Sequence, residues 1–179
     1  MTLAQSALID RFRVLLSTRL HVPASHSRSK LGRILDERVA ALRIASPDRY
    51  MAMLGLATDA SSLEWDALTA ALTVGESSFF RDEGLFAALR DQVLPELSRN
   101  RQGRLRVWSA GCSEGQELYS LAIVLHEMGV DVARCNLVGT DINRAAVDAA
   151  KRARYGAWSF RGVERPVMKR HFTAHGEEY

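Results

Sequence analysis

The sequence predicts an α/β fold in which a small all-helical front part precedes the opening strand-helix-strand unit of a parallel sheet. Two observations carry this. In LRVWSAGCSEGQELYS, residues 105–120, an apolar run from Leu105 to Trp108 gives way to the small residues Ser109, Ala110 and Gly111, then to polar residues and Gly115. Leu118, Leu121, Ala122, Leu125 and Met128 follow at helical spacing, so the stretch reads as a buried strand, a tight turn and an amphipathic helix. A second short run, Asn136 to Thr140, ends in Asp141 and leads into the helix-like INRAAVDAAKRA.

The helical elements come first in the chain. Leu8, Phe12, Leu15 and Leu16 share one face of a helix over residues 3–20, expected to stop near His21, Val22 and Pro23. Ser27 or Ser29 is placed to cap a second helix with the apolar stripe Leu31, Ile34, Leu35, Val39 and Leu42. Opposite that stripe, Lys30, Arg33, Arg38 and Arg43 form a basic face. SPDRY opens a third helix with Pro47 at its first position, and a Ser-x-x-Glu/Asp type start from Ser61 opens a fourth with Leu63, Leu68 and Leu72 inward. Residues 1–74 thus form a helical domain. In residues 75–104, Glu76, Ser77 and Ser78 beside Phe79, Phe80 and Arg81 break the helical period. Phe86, Leu89, Val93 and Leu97 then resume it, and the sheet part occupies residues 105–179.

Composition narrows the function classes. With 179 residues, 47% of them hydrophobic, the chain has material for a real core. No apolar run approaches the ~20 residues that span a bilayer, and Asp10 and Arg11 interrupt the first helix where a signal peptide is unbroken. A cytoplasmic protein without membrane insertion is expected. Cys112 and Cys135 are too few and too far apart for a zinc site or a disulfide framework, and no metal site is expected, although His171 and His175 stand at i and i+4. The formal charge of +3, without aromatic residues interleaved among the basic ones, does not point to nucleic acid.

A turn at the carboxyl end of a parallel strand is where open α/β sheets take ligands, because small residues let backbone amides and a helix amino terminus come close. Gly111 is the near-approach position. Asp141, ending the second strand, is the candidate acceptor for two ribose hydroxyls. The dinucleotide fingerprint lacks its third glycine, so a hydride-transfer enzyme is disfavoured.

TVGESSFFRD (residues 73–82), RVWSAGCSEGQELYS (106–120) and GTDIN (139–143), in this order and spacing, closely resemble the motifs of the CheR-type chemotaxis receptor methyltransferases, protein-glutamate O-methyltransferases. The resemblance extends over nearly the whole chain. It implies a helical docking domain followed by a Rossmann-like class I methyltransferase sheet that binds S-adenosyl-L-methionine. It further implies that Gly75, Ser77 and Arg81 approach the cofactor, that Glu117 lies near its methionine part and that Asp141 holds the ribose. Arg81 is also the candidate for steering the attacking carboxylate.

The family often has Asn where Gly75 stands, and Glu and Pro where Gln116 and Leu118 stand, so weakened polar contacts are expected. The implied partners are methyl-accepting chemotaxis receptors, with Lys30, Arg33, Arg38 and Arg43 docking on their acidic helical methylation region. Only two strands fit between Leu105 and Tyr179, and RPVMKRHFTAHGEEY reads as one more helix. The sheet is therefore expected to be partial, the chain truncated at its carboxyl end, and self-association possible. A non-catalytic module that docks on an acidic helix or binds cofactor product stays open beside the enzyme reading.

Overall fold

The structure is a computed structural model that describes residues 3–20, 26–56, 58–73, 75–100 and 104–179. The expected end of the first helix, at His21 to Pro23, lies outside the described residues. The chain divides into two compact units, Met1–Thr73 and Val74–Tyr179.

The first unit contains α1 (Leu3–Leu20), α2 (Arg28–Ala41), α3 (Pro47–Leu54) and α4 (Asp59–Leu72). Each short helix begins where a side chain satisfies an orphan amide. Ser27 accepts from Lys30 N at 3.2 Å, and Ser46 from Arg49 N at 3.3 Å. The start of α4 differs from expectation. Thr58 is the cap and Ser61 is its reciprocal partner at the third position, a capping box that begins earlier than a start at Ser61. Leu63, five residues before Leu68, is off the inward stripe and 71% exposed, whereas Trp65 lies on it and is buried with Leu68 and Leu72.

Phe12, Leu16, Leu31, Leu35, Tyr50 and Leu54 complete this core. Each fully buried Leu or Phe contributes about 1.5–3 kcal/mol through lost apolar hydration. Leu42 is the C-cap of α2 and is 41% exposed, outside the stripe assigned to it. Arg43 follows at φ 52°, with Ile44 N donating to Val39 O and Arg43 N to Ala40 O, a Schellman ending with arginine at the left-handed position.

The second unit contains α5 (Glu83–Ala88), a π-helical turn (Leu89–Val93), α6 (Leu94–Asn100), β1 (Arg106–Ala110), α7 (Gln116–Glu127), β2 (Asn136–Thr140), α8 (Arg144–Arg152) and α9 (Arg165–His171). The π turn corrects the stripe read as Phe86, Leu89, Val93 and Leu97. One extra residue per turn advances the register, so Leu94 is 2% exposed while Val93 and Leu97 are 42% and 41% exposed.

The strands pair in parallel, Arg106 opposite Asn136 through Ala110 opposite Thr140, with α7 as the crossover. Val107 and Leu137 face a core of Phe86, Leu94, Leu121, Val124 and Leu125. Side chains alternate across a strand, so Trp108 and Val138 point the other way and are 69% and 43% exposed. The first strand is thus buried on one face rather than throughout.

The tail is also not one helix. After α9 it turns at Gly176 (φ 66°) and returns to pair with Gly156 and Tyr155, drawing Phe172 and Tyr179 onto Phe160. Among the described residues no helix is long and apolar enough to cross a membrane.

Candidate functional site

The turn between β1 and α7 is held by backbone bonds. Gly111 N and Cys112 N both donate to Thr140 O, at 2.8 and 3.0 Å, which fastens the turn to the end of β2. Gly115 N donates to Cys112 O at 2.8 Å. Gly111, Ser113 and Gly115 all have positive φ, of 80°, 50° and 89°. Gly115 is required on two counts: its conformation, and the 3.0 Å at which an added Cβ would meet the Ala150 Cβ.

Asp141 completes the turn. Its Oδ2 accepts from Ser113 N and its Oδ1 from Asn143 N, both at 2.8 Å, so one carboxylate links the glycine turn to the amino end of α8. A carboxylate has about four lone-pair sites, and these two bonds leave capacity on each oxygen for a ligand hydroxyl.

Glu117 lies on the first turn of α7, where its Oε1 accepts from Ser109 Oγ at 2.7 Å. It borders a cavity of about 360 Å³ whose lining includes Leu85, Phe86, Ser109 and Leu121 but neither Gly111 nor Asp141. Cys112 is 5% exposed, and burial, with the charge of Asp141 adding to it, pushes its thiol up. Its sulfur fills the space where Gly139 would carry a Cβ, 2.9 Å away. It is a packing residue. Neither cysteine is in a disulfide.

The segment from Gly75 to Asp82 is bound to α7 by its backbone. Phe80, at φ 53°, donates its amide to Ser120 Oγ at 3.0 Å, and fully buried Ser120 donates in turn to Gln116 O at 2.7 Å. Phe79 N donates to Ser159 O at 2.9 Å. Arg81 is exposed and bonds Glu76 O at 2.8 Å, while Asp82 caps α5 by accepting from Leu85 N. Gly75 is exposed with no atom within 4 Å of an added Cβ, so the asparagine common in the resembled family fits this backbone. Ser77 is half-buried. Gly75, Ser77 and Arg81 therefore share a segment tied to the helix that starts at the glycine turn.

The basic residues of α2 do not form one uniform face. Arg38 is drawn inward, with Nε and Nη2 each 2.7 Å from the carboxylate of Glu64, which is 3% exposed and also accepts from Tyr50 OH at 2.7 Å. Burial, then the bond to Glu64, pushes the Tyr50 phenol well up. Lys30 Nζ donates to Leu72 O at 3.3 Å, Arg33 pairs with Glu37 at 3.1 Å, and Arg43 is exposed. His171 bonds Glu127 at 3.2 Å and His175 lies beyond α9, so these two do not share a helix face.

The residues fit S-adenosylmethionine on two observations. Two buried polar atoms, Ser113 Oγ in the turn and Gln116 Oε1 at the first position of α7, have no hydrogen-bond partner among the described residues. The space beside Gly111 is open, with no atom within 4 Å of an added Cβ. Ser109, Ser113 and Ser120 were not singled out from the sequence. Ser120 offered a signal, a small polar residue on the inward face of an apolar helix.

The family model for the CheR methyltransferase SAM-binding domain matches residues 75–179. The chemotaxis protein methyltransferase of Salmonella typhimurium is 32% identical over 84% of this chain and 50% of its own length. That of Listeria monocytogenes is 38% identical over 63% of this chain and 42% of its own. The probable biofilm formation methyltransferase WspC of Pseudomonas aeruginosa is 33% identical over 95% of this chain and 40% of its own. The chain thus spans about half the length, or less, of the curated relatives it matches. With a class I sheet opening, a glycine turn fastened to a terminal acid and this family match over its second unit, the chain belongs to the CheR methyltransferases, whose SAM-binding domain takes S-adenosylmethionine as cofactor.

Proposed function

We propose that the protein to which this chain belongs transfers the methyl group of S-adenosylmethionine to glutamate side chains of chemotaxis receptors, in the cytoplasm, as part of signal adaptation. The bond from Ser113 N to Asp141 carries this reading, because it fastens a ribose-binding acid to the turn that receives the rest of the cofactor. When bound, the cofactor would supply a sulfonium-bound methyl group for transfer to a glutamate oxygen, with its thioether as the leaving group.

The chain's own residues bind and orient. Asp141 accepts from the ribose hydroxyls, and the open backbone at Gly111 lies against the cofactor. Glu117, already oriented by Ser109, serves the methionine end with Gly75, Ser77 and Arg81. Arg81, exposed and bonded through one guanidinium nitrogen to Glu76 O, is proposed to steer the incoming carboxylate. A glutamate with a pKa near ~4.3 is ionised at neutral pH, so no strong base is required. Alignment of nucleophile and methyl group is the main contribution, a class of effect that lowers barriers by up to ~7–11 kcal/mol.

Lys30, Arg33, Arg38 and Arg43 are proposed to dock on the acidic helical methylation region, with Arg33 and Arg43 as the exposed contacts and Arg38 acting through its ion pair. In the full-length protein, Arg33→Glu with Arg43→Glu should cut transfer of tritiated methyl groups to receptor membranes while leaving cofactor affinity unchanged. Unaltered methylation would remove the docking assignment, and loss of cofactor affinity as well would assign the change to folding.

The exposed apolar positions Trp108, Val138 and Ile142 support self-association of the isolated chain through that face of the sheet. Light scattering should then show a mass that rises with concentration, and a constant monomer mass would refute it.

A further inference from the structure

We propose that Tyr155 is a positioning residue for the cofactor turn, locking the peptide that joins Glu114 to Gly115 and coupling it to the Phe79–Arg81 segment. The inference rests on the cofactor reading above and adds to it a residue far from the glycine motif in sequence.

Both ends of one peptide plane are pinned. The Glu114 carbonyl accepts from Tyr155 OH at 2.6 Å, and the Gly115 N–H of the same plane donates to Cys112 O at 2.8 Å. Glu114 stands between Ser113, whose N–H holds Asp141, and Gly115, from which α7 starts at φ 89°. A positive φ is available to glycine over a wide range, so the sequence alone leaves this plane free to rotate. The phenol removes that freedom.

The ring is packed in place, since Tyr155 is 4% exposed and its backbone pairs both ways with Tyr179, at 2.9 and 3.0 Å. The same ring makes a T-shaped contact with Phe79 at 4.9 Å between centroids, and Tyr119 packs at 6.2 Å. Phe79 immediately precedes Phe80 and Arg81, which bond Ser120 and Glu76. One side chain therefore sets the distance between the two segments assigned to the cofactor. A single neutral hydrogen bond is a modest interaction, and here its effect falls on binding because the fold retains the ring.

The test compares wild type with Tyr155→Phe, which keeps the ring and deletes the hydroxyl. Phe172→Leu is the control; Phe172 packs on Phe79 at 4.8 Å and has no bond to the turn. Amide hydrogen exchange at Gly115 and calorimetric titration with S-adenosylhomocysteine are the readouts. Tyr155→Phe should speed Gly115 exchange and weaken S-adenosylhomocysteine about five- to tenfold, the loss expected from one hydrogen bond. Phe172→Leu should lower the melting temperature and leave Gly115 exchange and affinity as in wild type. Wild-type exchange and affinity in Tyr155→Phe would overturn the proposal alone. Failure of the wild-type chain to bind S-adenosylhomocysteine would instead overturn the cofactor reading on which it rests.

Discussion

Replacing Arg38 with methionine should strongly destabilise the helical unit, although Arg38 reads in the sequence as one of several surface cations. Glu64 has a side chain only 4% exposed, and its carboxylate is compensated by two bonds from Arg38 at 2.7 Å each and one from Tyr50 at 2.7 Å. Arg38→Met removes the counter-charge and leaves an ionised group with a single neutral donor, a change that costs about 3–5 kcal/mol. Small domains are stable by about 5–15 kcal/mol in total, so the unfolded fraction should rise by about two to three and a half powers of ten. Arg33→Met removes an exposed pair with Glu37 and should cost less than about 1 kcal/mol.

Urea titration followed by far-ultraviolet circular dichroism and by Trp65 fluorescence reads both variants. Trp65 suits this because it is 8% exposed in the same core, with its indole nitrogen bonded to Leu54 O at 3.2 Å. Arg38→Met combined with Glu64→Leu should recover much of the loss, since the buried charge is then absent. If Arg38→Met costs no more than Arg33→Met, the argument from an uncompensated buried carboxylate is wrong. The comparison also bears on docking, because a methylation defect in an Arg38 variant reports folding before it reports recognition.

Leu94→Ala should destabilise the second unit by about 2–5 kcal/mol and Val93→Ala by less than about 1 kcal/mol, read from urea midpoints, because the π turn places the first inside and the second out. Equal effects would restore the regular helical register. Arg43→Gly should stabilise the first unit by about 1 kcal/mol by relieving a left-handed arginine at φ 52°. A fall in the urea midpoint would mean that the arginine side chain makes a compensating contact.

The parts of this molecule legible in its sequence are those set by short-range pattern. The span of β2, the acid that follows it and the glycine turn each follow from a few adjacent residues, and the structure has the strand at Asn136–Thr140 with Asp141 next. Ser46 and Pro47 likewise announce α3 at its observed start.

Other features depend on partners distant in the chain. Trp108 sits in an apolar run, and only the pairing with β2 decides that its face stays open. The π turn inserts one residue without a sequence signal, which moved the inward position from Val93 to Leu94. Arg38 differs from Arg33 only because a buried carboxylate arrives from α4, 26 residues later. Phe172 and Tyr179 leave the helical pattern because Phe160, from an earlier turn, supplies an aromatic surface for them.

The central claim is that Asp141 and the glycine turn form a cofactor site, and calorimetric titration of the chain with S-adenosylhomocysteine, beside Asp141→Ala, tests it most directly. The account predicts saturable binding by the wild type and a loss of at least about tenfold in affinity for the variant, equivalent to about 1.4 kcal/mol, with circular dichroism showing both chains folded. Equal affinity in the two folded chains, or no binding by the wild type, would contradict it.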